Sequence, residues 1–175
     1  EAGVDLLIEK PIAEDPATGR ELQEAAESAG VTLQVGHVER FNPAVRTLSE
    51  IVTDLDVIAL DTQRLGPPTH REIGDGVALD LMIHDADILL SLVDAPVADI
   101  YAAETAGNQY VAATVEFETG VVATLTASRV TQQKVRTLSV TAEDCRVNVD
   151  YMAQSVQINR HSLPEYVETD GDVRY

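Results

Sequence analysis

The chain is 175 residues long, 45% hydrophobic and only 4% aromatic, and it sets 12 basic residues against 30 acidic ones for a net charge of −18. That length holds one domain, or one domain and a piece of another, with a core built from Val, Leu, Ile and Ala because Trp is absent. The acidity argues against nucleic acid or an anionic membrane as partner; no apolar run reaches the roughly 18 residues of a membrane span; no signal-peptide pattern opens the chain; and the lone Cys145 excludes an internal disulfide. A cytoplasmic protein is the expectation.

In chain order, Glu1-Ala2-Gly3 has the look of a helix end with its closing glycine, and a strand follows over Val4 to Ile8. Glu9-Lys10-Pro11 comes next, and the Lys10-Pro11 bond is open to the cis form. Asp15-Pro16 reads as an N-cap with proline in the first turn of a helix running to about Ser28. A second strand covers Thr32 to His37, so strand, helix and strand form a βαβ unit with parallel strands. Two strands do not make a stable sheet, and no GxGxxG opens a helix anywhere in the chain. The unit therefore reads as the end of a doubly wound nucleotide domain that begins upstream of residue 1.

The expected division is residues 1–42, the last part of a dinucleotide-binding domain, and 43–175, a second domain; the pattern changes after the helix that opens this second part. A helix over Pro43 to Thr53 and a strand over Asp56 to Arg64 lead into a Gly- and Pro-rich loop, Leu65 to Gly76, with His70 and Arg71 in its middle. A strongly apolar helix is expected over Val77 to Val93, buried with no solvent face. Six strands follow: Val97–Thr105, Tyr110–Glu118, Val121–Arg129, Val135–Glu143, Arg146–Tyr151 and Ser155–Arg160. Turns are expected at Thr119-Gly120 and Glu143-Asp144. They predict an antiparallel meander with one face on helices. The residues of Tyr110 to Glu118 are fairly apolar on both faces, which points to a second cover, another copy of the chain. Ser162 to Tyr175 reads as an arm or a cut end.

Within the apolar helix, Asp80, His84, Asp87 and Ser91 step by four, three and four, so they fall within about 60° of one another, while Asp85 points elsewhere. Buried charge needs a partner, so the stripe should face a cleft, a ligand or an opposing charge. A His and an Asp at this spacing also suit a purely structural pair. No Cys or His cluster completes a metal site. Lys10, one of only two lysines, sits at the carboxyl end of a parallel strand, where open α/β sheets bind ligands; an ordinary strand-end lysine is the competing reading.

Glu9-Lys10-Pro11 after an apolar strand resembles the EKP motif of the glucose–fructose oxidoreductase, inositol dehydrogenase and rhizopine-catabolism (Gfo/Idh/MocA) family. Asp80-Leu81-Met82-Ile83-His84-Asp85, about seventy residues on, resembles the family's second motif, an Asp four residues before a His-Asp pair. Val35 to Pro43 lies where the family ends its nucleotide domain, so the resemblance covers essentially the whole chain. Met82 departs from the glycine of many members, and the missing dinucleotide fingerprint implies a fragment.

The resemblance implies an α+β protein: the end of a Rossmann domain, then a dihydrodipicolinate-reductase-like domain with a large, mostly antiparallel open sheet. It makes residues 43–175 a substrate-binding and oligomerisation domain. It implies hydride transfer between NAD or NADP and a sugar-like alcohol. In that reading His84 takes the hydroxyl proton, Asp80 orients His84, and Lys10 donates a hydrogen bond to the developing oxyanion. Glu9, Lys10, Pro11 and His37 would meet the cofactor, and Arg40, Asn42, Arg71 and His84 the substrate. Each arginine is equally readable as a surface group. GHVERFNPA, then GPP followed by Arg71, then LDLMIHD, resembles the branch acting on UDP-N-acetylglucosamine or related nucleotide sugars at the 3-position. A non-enzymatic module that assembles through its open sheet is the alternative. The acidic, lysine-poor composition resembles that of proteins from salt-rich cytoplasm, where salt screens self-repulsion.

Overall fold

The computed structural model describes residues 3–68, 76–105 and 107–160, with the backbone of two short strands, Val167–Thr169 and Asp172–Arg174. His70, Arg71 and His161 lie outside the described residues.

The opening βαβ unit forms as the sequence dictates. Strand β1 (Leu6–Glu9) pairs in parallel with β2 (Leu33–Gly36), Leu6 opposite Leu33 and Glu9 opposite Gly36. Between them α1 (Pro16–Ala29) starts at Asp15, whose carboxylate accepts from the Ala17 and Thr18 amides at 2.8 and 3.0 Å. It stops at Gly30, which turns left-handed at φ +63°. The Lys10–Pro11 peptide is cis. A 3-10 turn, Val38–Phe41, carries the chain from β2 into α2 (Pro43–Val52). Asn42 caps α2 by accepting from the Ala44 amide, and its own amide donates to the Tyr151 carbonyl at 3.1 Å, which pins the helix start to the sheet.

The second unit is a seven-stranded sheet built from β3 (Val57–Leu65), β4 (Val97–Glu104), β5 (Tyr110–Phe117), β6 (Val122–Ser128), β7 (Val135–Ala142), β8 (Cys145–Asp150) and β9 (Ser155–Arg160). Its order is β4-β5-β6-β3-β7-β8-β9. The meander expected from sequence is broken at one place: β3 lies between β6 and β7, parallel to β6 and antiparallel to β7. Residues 129–134 join β6 to β7 and are long enough to step over β3, about two strand spacings or 10 Å. Gly120, at φ +86°, turns the β5–β6 hairpin. Tail strands β10 (Val167–Thr169) and β11 (Asp172–Arg174) pair antiparallel.

Helices cover one face of this sheet. Leu60 on β3, Leu125 on β6, Leu138 and Val140 on β7 and Val147 and Val149 on β8 alternate inward against Val45 and Leu48 of α2 and Ile88 and Leu89 of α3 (Ile83–Leu92). Full burial of each such side chain contributes about 1.5–3 kcal/mol. Cys145 is buried in this core, as expected of an apolar residue. The opposite face is more polar than the β5 pattern implied. It presents Asp61, Gln63, Thr137, Ser139, Asn148 and Gln157 around a shallow groove of about 340 Å³.

The apolar helix differs from its expected form in two ways. It opens with a π turn, Ala78–Met82, in which the Ile83 amide bonds five residues back to the Ala78 carbonyl, before α3 begins. It also has a solvent face, since Leu79 and Leu90 are exposed. The entry is fixed at Gly76, where a Cβ would press on Asn108 at 3.1 Å, and by the Val77 amide bonding to the Asn108 carbonyl. No helix among the described residues is long and apolar enough to cross a membrane.

Candidate active site

Three elements meet where the βαβ unit touches the sheet domain. Lys10, delivered by the carboxyl end of β1, donates to the Asp80 carbonyl at 2.6 Å and approaches the Asp80 carboxylate at 3.3 Å. Asp80 sits within the π turn, and such turns recur at functional sites. Its other carboxylate oxygen accepts from Arg129, just beyond β6, at 2.6 Å. Burial alone would raise the Asp80 carboxyl; the Arg129 bond and then Lys10 outweigh it and hold the group below the usual carboxylate range. Asp80 is thus committed to two cations. Among the described residues no hydrogen bond joins it to His84.

His84 lies one turn further along. Its Nδ1 is buried without a hydrogen-bond partner. Burial, then the charges of Arg64 and Lys10, lower its pKa to about 4, against weaker opposing pulls from Glu39 and Asp80. The imidazole is therefore neutral at physiological pH, and a neutral imidazole is the form that accepts a proton.

The rest of the polar stripe is occupied. Arg40 grips the Asp87 carboxylate at two points, with Nε at 2.6 Å, and His37 Nδ1 stands 3.5 Å from the same carboxylate. Asp87 therefore ties the helix to the turn after β2, an opposing charge of the kind the stripe requires, while Ser91 bonds locally, donating to the Ile88 carbonyl at 2.7 Å. Asn42 is a helix cap, and Arg71 is outside the described residues. Of the nine proposed site residues, Lys10, Asp80 and His84 come together, with Glu9, Pro11 and His37 on the same strand-end rim.

Beneath the stripe, Asp85 turns into the protein and is only 2% exposed. Arg64 meets it with a two-point bond, Nε to Oδ2 and Nη2 to Oδ1, both 2.8 Å. Arg64 also reaches Glu39 at 3.3 Å and lies 5.3 Å from the Tyr151 ring centre. Burial pushes the Asp85 carboxyl up, and the two Arg64 bonds oppose that rise. Sequence reasoning missed Arg64 and Arg129. A signal existed: Arg64 shares the inward register of Leu60 and Thr62, and Arg129 that of Ala123, Leu125 and Ala127. A charge at an inward position requires a partner there.

The fit of a nicotinamide cofactor can be tested on these residues. His37 and His84 each carry a buried ring nitrogen without a hydrogen-bond partner, at the rim where Lys10 is presented, the kind of group a bound ligand satisfies. The residues suit the nicotinamide end of a dinucleotide. No glycine-rich phosphate loop occurs in the chain, so the pyrophosphate has no cradle here.

A parallel strand end bearing Glu-Lys-Pro is thus set against a sheet domain whose covering helix bears Asp80 and His84. Residues 1–37 match the oxidoreductase family's NAD-binding Rossmann fold, and residues 58–148 match the GFO/IDH/MocA C-terminal domain. The chain is 32% identical over 162 residues, 90% of its length, to the UDP-N-acetylglucosamine 3-dehydrogenase of Acidithiobacillus ferrooxidans, covering 51% of that protein. The solved structure of the Acidithiobacillus enzyme superposes with a TM-score of 0.83 at 30% identity, over 90% of this chain and 53% of that one. A 1,5-anhydro-D-fructose reductase of Ensifer adhaerens is 31% identical over 141 residues, 70% of this chain and 42% of the relative. An inositol dehydrogenase homologue of Azotobacter vinelandii shares the fold, with a TM-score of 0.77 at 12% identity. The chain belongs to the GFO/IDH/MocA oxidoreductase family, and it spans about half the length of the curated relatives it matches.

Proposed function

We propose that the full-length protein is an NAD(P)-dependent dehydrogenase that oxidises a secondary alcohol of a sugar, with the 3-position of UDP-N-acetylglucosamine or a related nucleotide sugar as the best candidate. The observation that carries this reading is the meeting of Lys10 with the Asp80–His84 helix across 70 residues of chain, through a 2.6 Å bond to the Asp80 carbonyl. The oxidised nicotinamide, when bound, supplies the hydride acceptor. His84, neutral and with a ring nitrogen unsatisfied, accepts the hydroxyl proton as the C–H bond breaks, leaving a ketone. Lys10 donates to the oxygen on which negative charge develops. Asp80, held by Arg129, fixes where Lys10 stands. A purely assembling module would have no use for this convergence.

An anionic nucleotide sugar is supported by charge as well as by kinship. In a chain of net charge −18, Lys10, Arg64, Arg129 and Arg136 all act on Asp80, His84 or Asp85. Copies assemble through the open sheet, and the acidic, lysine-poor composition supports a salt-rich cytoplasm as the place of work. In that setting the melting temperature rises between low and molar KCl; a flat or falling response would remove the salt-adaptation reading.

The test of the main proposal is turnover of the full-length enzyme with UDP-N-acetylglucosamine and with uncharged sugars, followed by reduced-cofactor absorbance. His84→Ala should lower kcat by about 10²–10⁴-fold. A His84→Ala enzyme that keeps its turnover would overturn the assignment.

A further inference from the structure

The helix that carries His84 is held from below by a buried charge network that the proposed chemistry does not itself use. Arg64 is 5% exposed and comes from β3, the centre of the sheet, while Asp85 is the residue next to His84 on α3. The two bonds of 2.8 Å between them join strand to helix at the turn that presents the imidazole. Glu39 of the 3-10 turn and the Tyr151 ring complete the surround of the guanidinium. A pair of this kind is not explained by stability alone, since well-packed apolar groups in its place often stabilise as much.

We propose that Arg64 is a positioning residue for His84: its fork on Asp85 fixes the turn of helix that bears the imidazole, and it sets a permanent positive charge beneath that turn. The inference rests on the reading of His84 as the proton acceptor. The charged groups around His84 are Lys10 from just beyond β1, Glu39 from the 3-10 turn, Arg64 from β3, and Asp80 from the turn before its own helix. Arg129 from beyond β6 closes the set through Asp80. Of these charges Arg64 and Lys10 oppose protonation of the imidazole, and Glu39 and Asp80 favour it. An arginine is ionised at any working pH, so the setting does not vary with conditions. The consequence is a base that stays unprotonated in acid well below the ordinary histidine range.

The experiment is an NMR titration of His84 in the full-length protein, with its signal assigned by absence in His84→Gln. Replacing the ion pair by a neutral amide pair, Arg64→Gln with Asp85→Asn, keeps hydrogen-bonding groups at both positions and removes the charge. His84 should then bind a proton at least tenfold more tightly than in the wild type, and the acidic limb of kcat/KM should move to higher pH with it. Arg64→Lys, which keeps the charge without the fork, should leave the titration within threefold of wild type while lowering kcat. A neutral pair that leaves the His84 titration within threefold of wild type overturns the proposal, and so does Arg64→Lys shifting it as far as the neutral pair does. If the neutral pair does not fold, Glu39→Gln removes the charge that partly offsets Arg64, and it should lower the His84 titration; an unchanged or raised value overturns the proposal. The titration is read without turnover, so a His84 that titrates as expected in an enzyme indifferent to His84→Ala would sink the base assignment and leave the electrostatic one standing.

Discussion

Asp80 and Asp85 stand five residues apart on one continuous helical stretch and meet arginines in opposite ways. The Asp80 side chain is 28% exposed and divides its two oxygens between Lys10 and Arg129, cations from different parts of the fold. The Asp85 side chain is 2% exposed and gives both oxygens to one guanidinium. A carboxylate shared between two donors at a partly open site can give one of them up when a ligand arrives. A carboxylate enclosed with a single forked partner cannot, because either charge left alone in the interior is costly. The first arrangement suits chemistry and the second suits support.

The contrast can be broken by substitution. Arg64→Met leaves Asp85 buried and uncompensated, and should cost about 3–5 kcal/mol in urea unfolding. Asp80→Asn removes one charge from a partly solvated set and should cost only about 1–2 kcal/mol, while reducing turnover of the full-length enzyme. Equal stability losses in the two variants would erase the distinction. A smaller, graded effect comes from His84. Its pKa is depressed to about 4, below the ordinary histidine value of 6.5, so between those pH values the unfolded chain takes up a proton that the folded one refuses. Stability should therefore fall as pH drops from about 6.5 to about 4, and His84→Gln should flatten that part of a stability-against-pH curve.

Local signals made most of this fold legible. Asp15-Pro16 and Gly30 bound α1, Thr119-Gly120 turns a hairpin, and the inward alternation of β7 and β8 follows the period of a half-buried strand. The insertion of β3 between β6 and β7 was not legible, because no local pattern tells a strand which distant neighbour it will take. The π turn was equally hidden, since Ala78 to Met82 has the composition of ordinary apolar helix. At the site, Lys10, Asp80 and His84 stood out by motif, and their spatial meeting agrees. The Asp80–Arg129 and Asp85–Arg64 bonds needed the pairing of β3 with β6, which sets those two arginines on neighbouring strands under the helix. The Arg40–Asp87 pair was hidden for the complementary reason: the stripe that suggested a cleft also supplied a carboxylate to a rim arginine.

The place of β3 has a consequence for how the chain acquires its shape. Its residues pair with Val122–Ser128 on one side and Val135–Ala142 on the other, so the strand at the centre of the sheet waits for segments made long after it. During synthesis β3, α2 and α3 leave the ribosome with their apolar faces uncovered. The sheet can close only once about eighty further residues have followed. Contacts of such sequence separation place a domain among the slow folders, in the range of milliseconds to seconds. For that interval Arg64 and Asp85 are solvated, independent ions. The pair beneath His84 forms only where helix and sheet have come together and water has left the space between them.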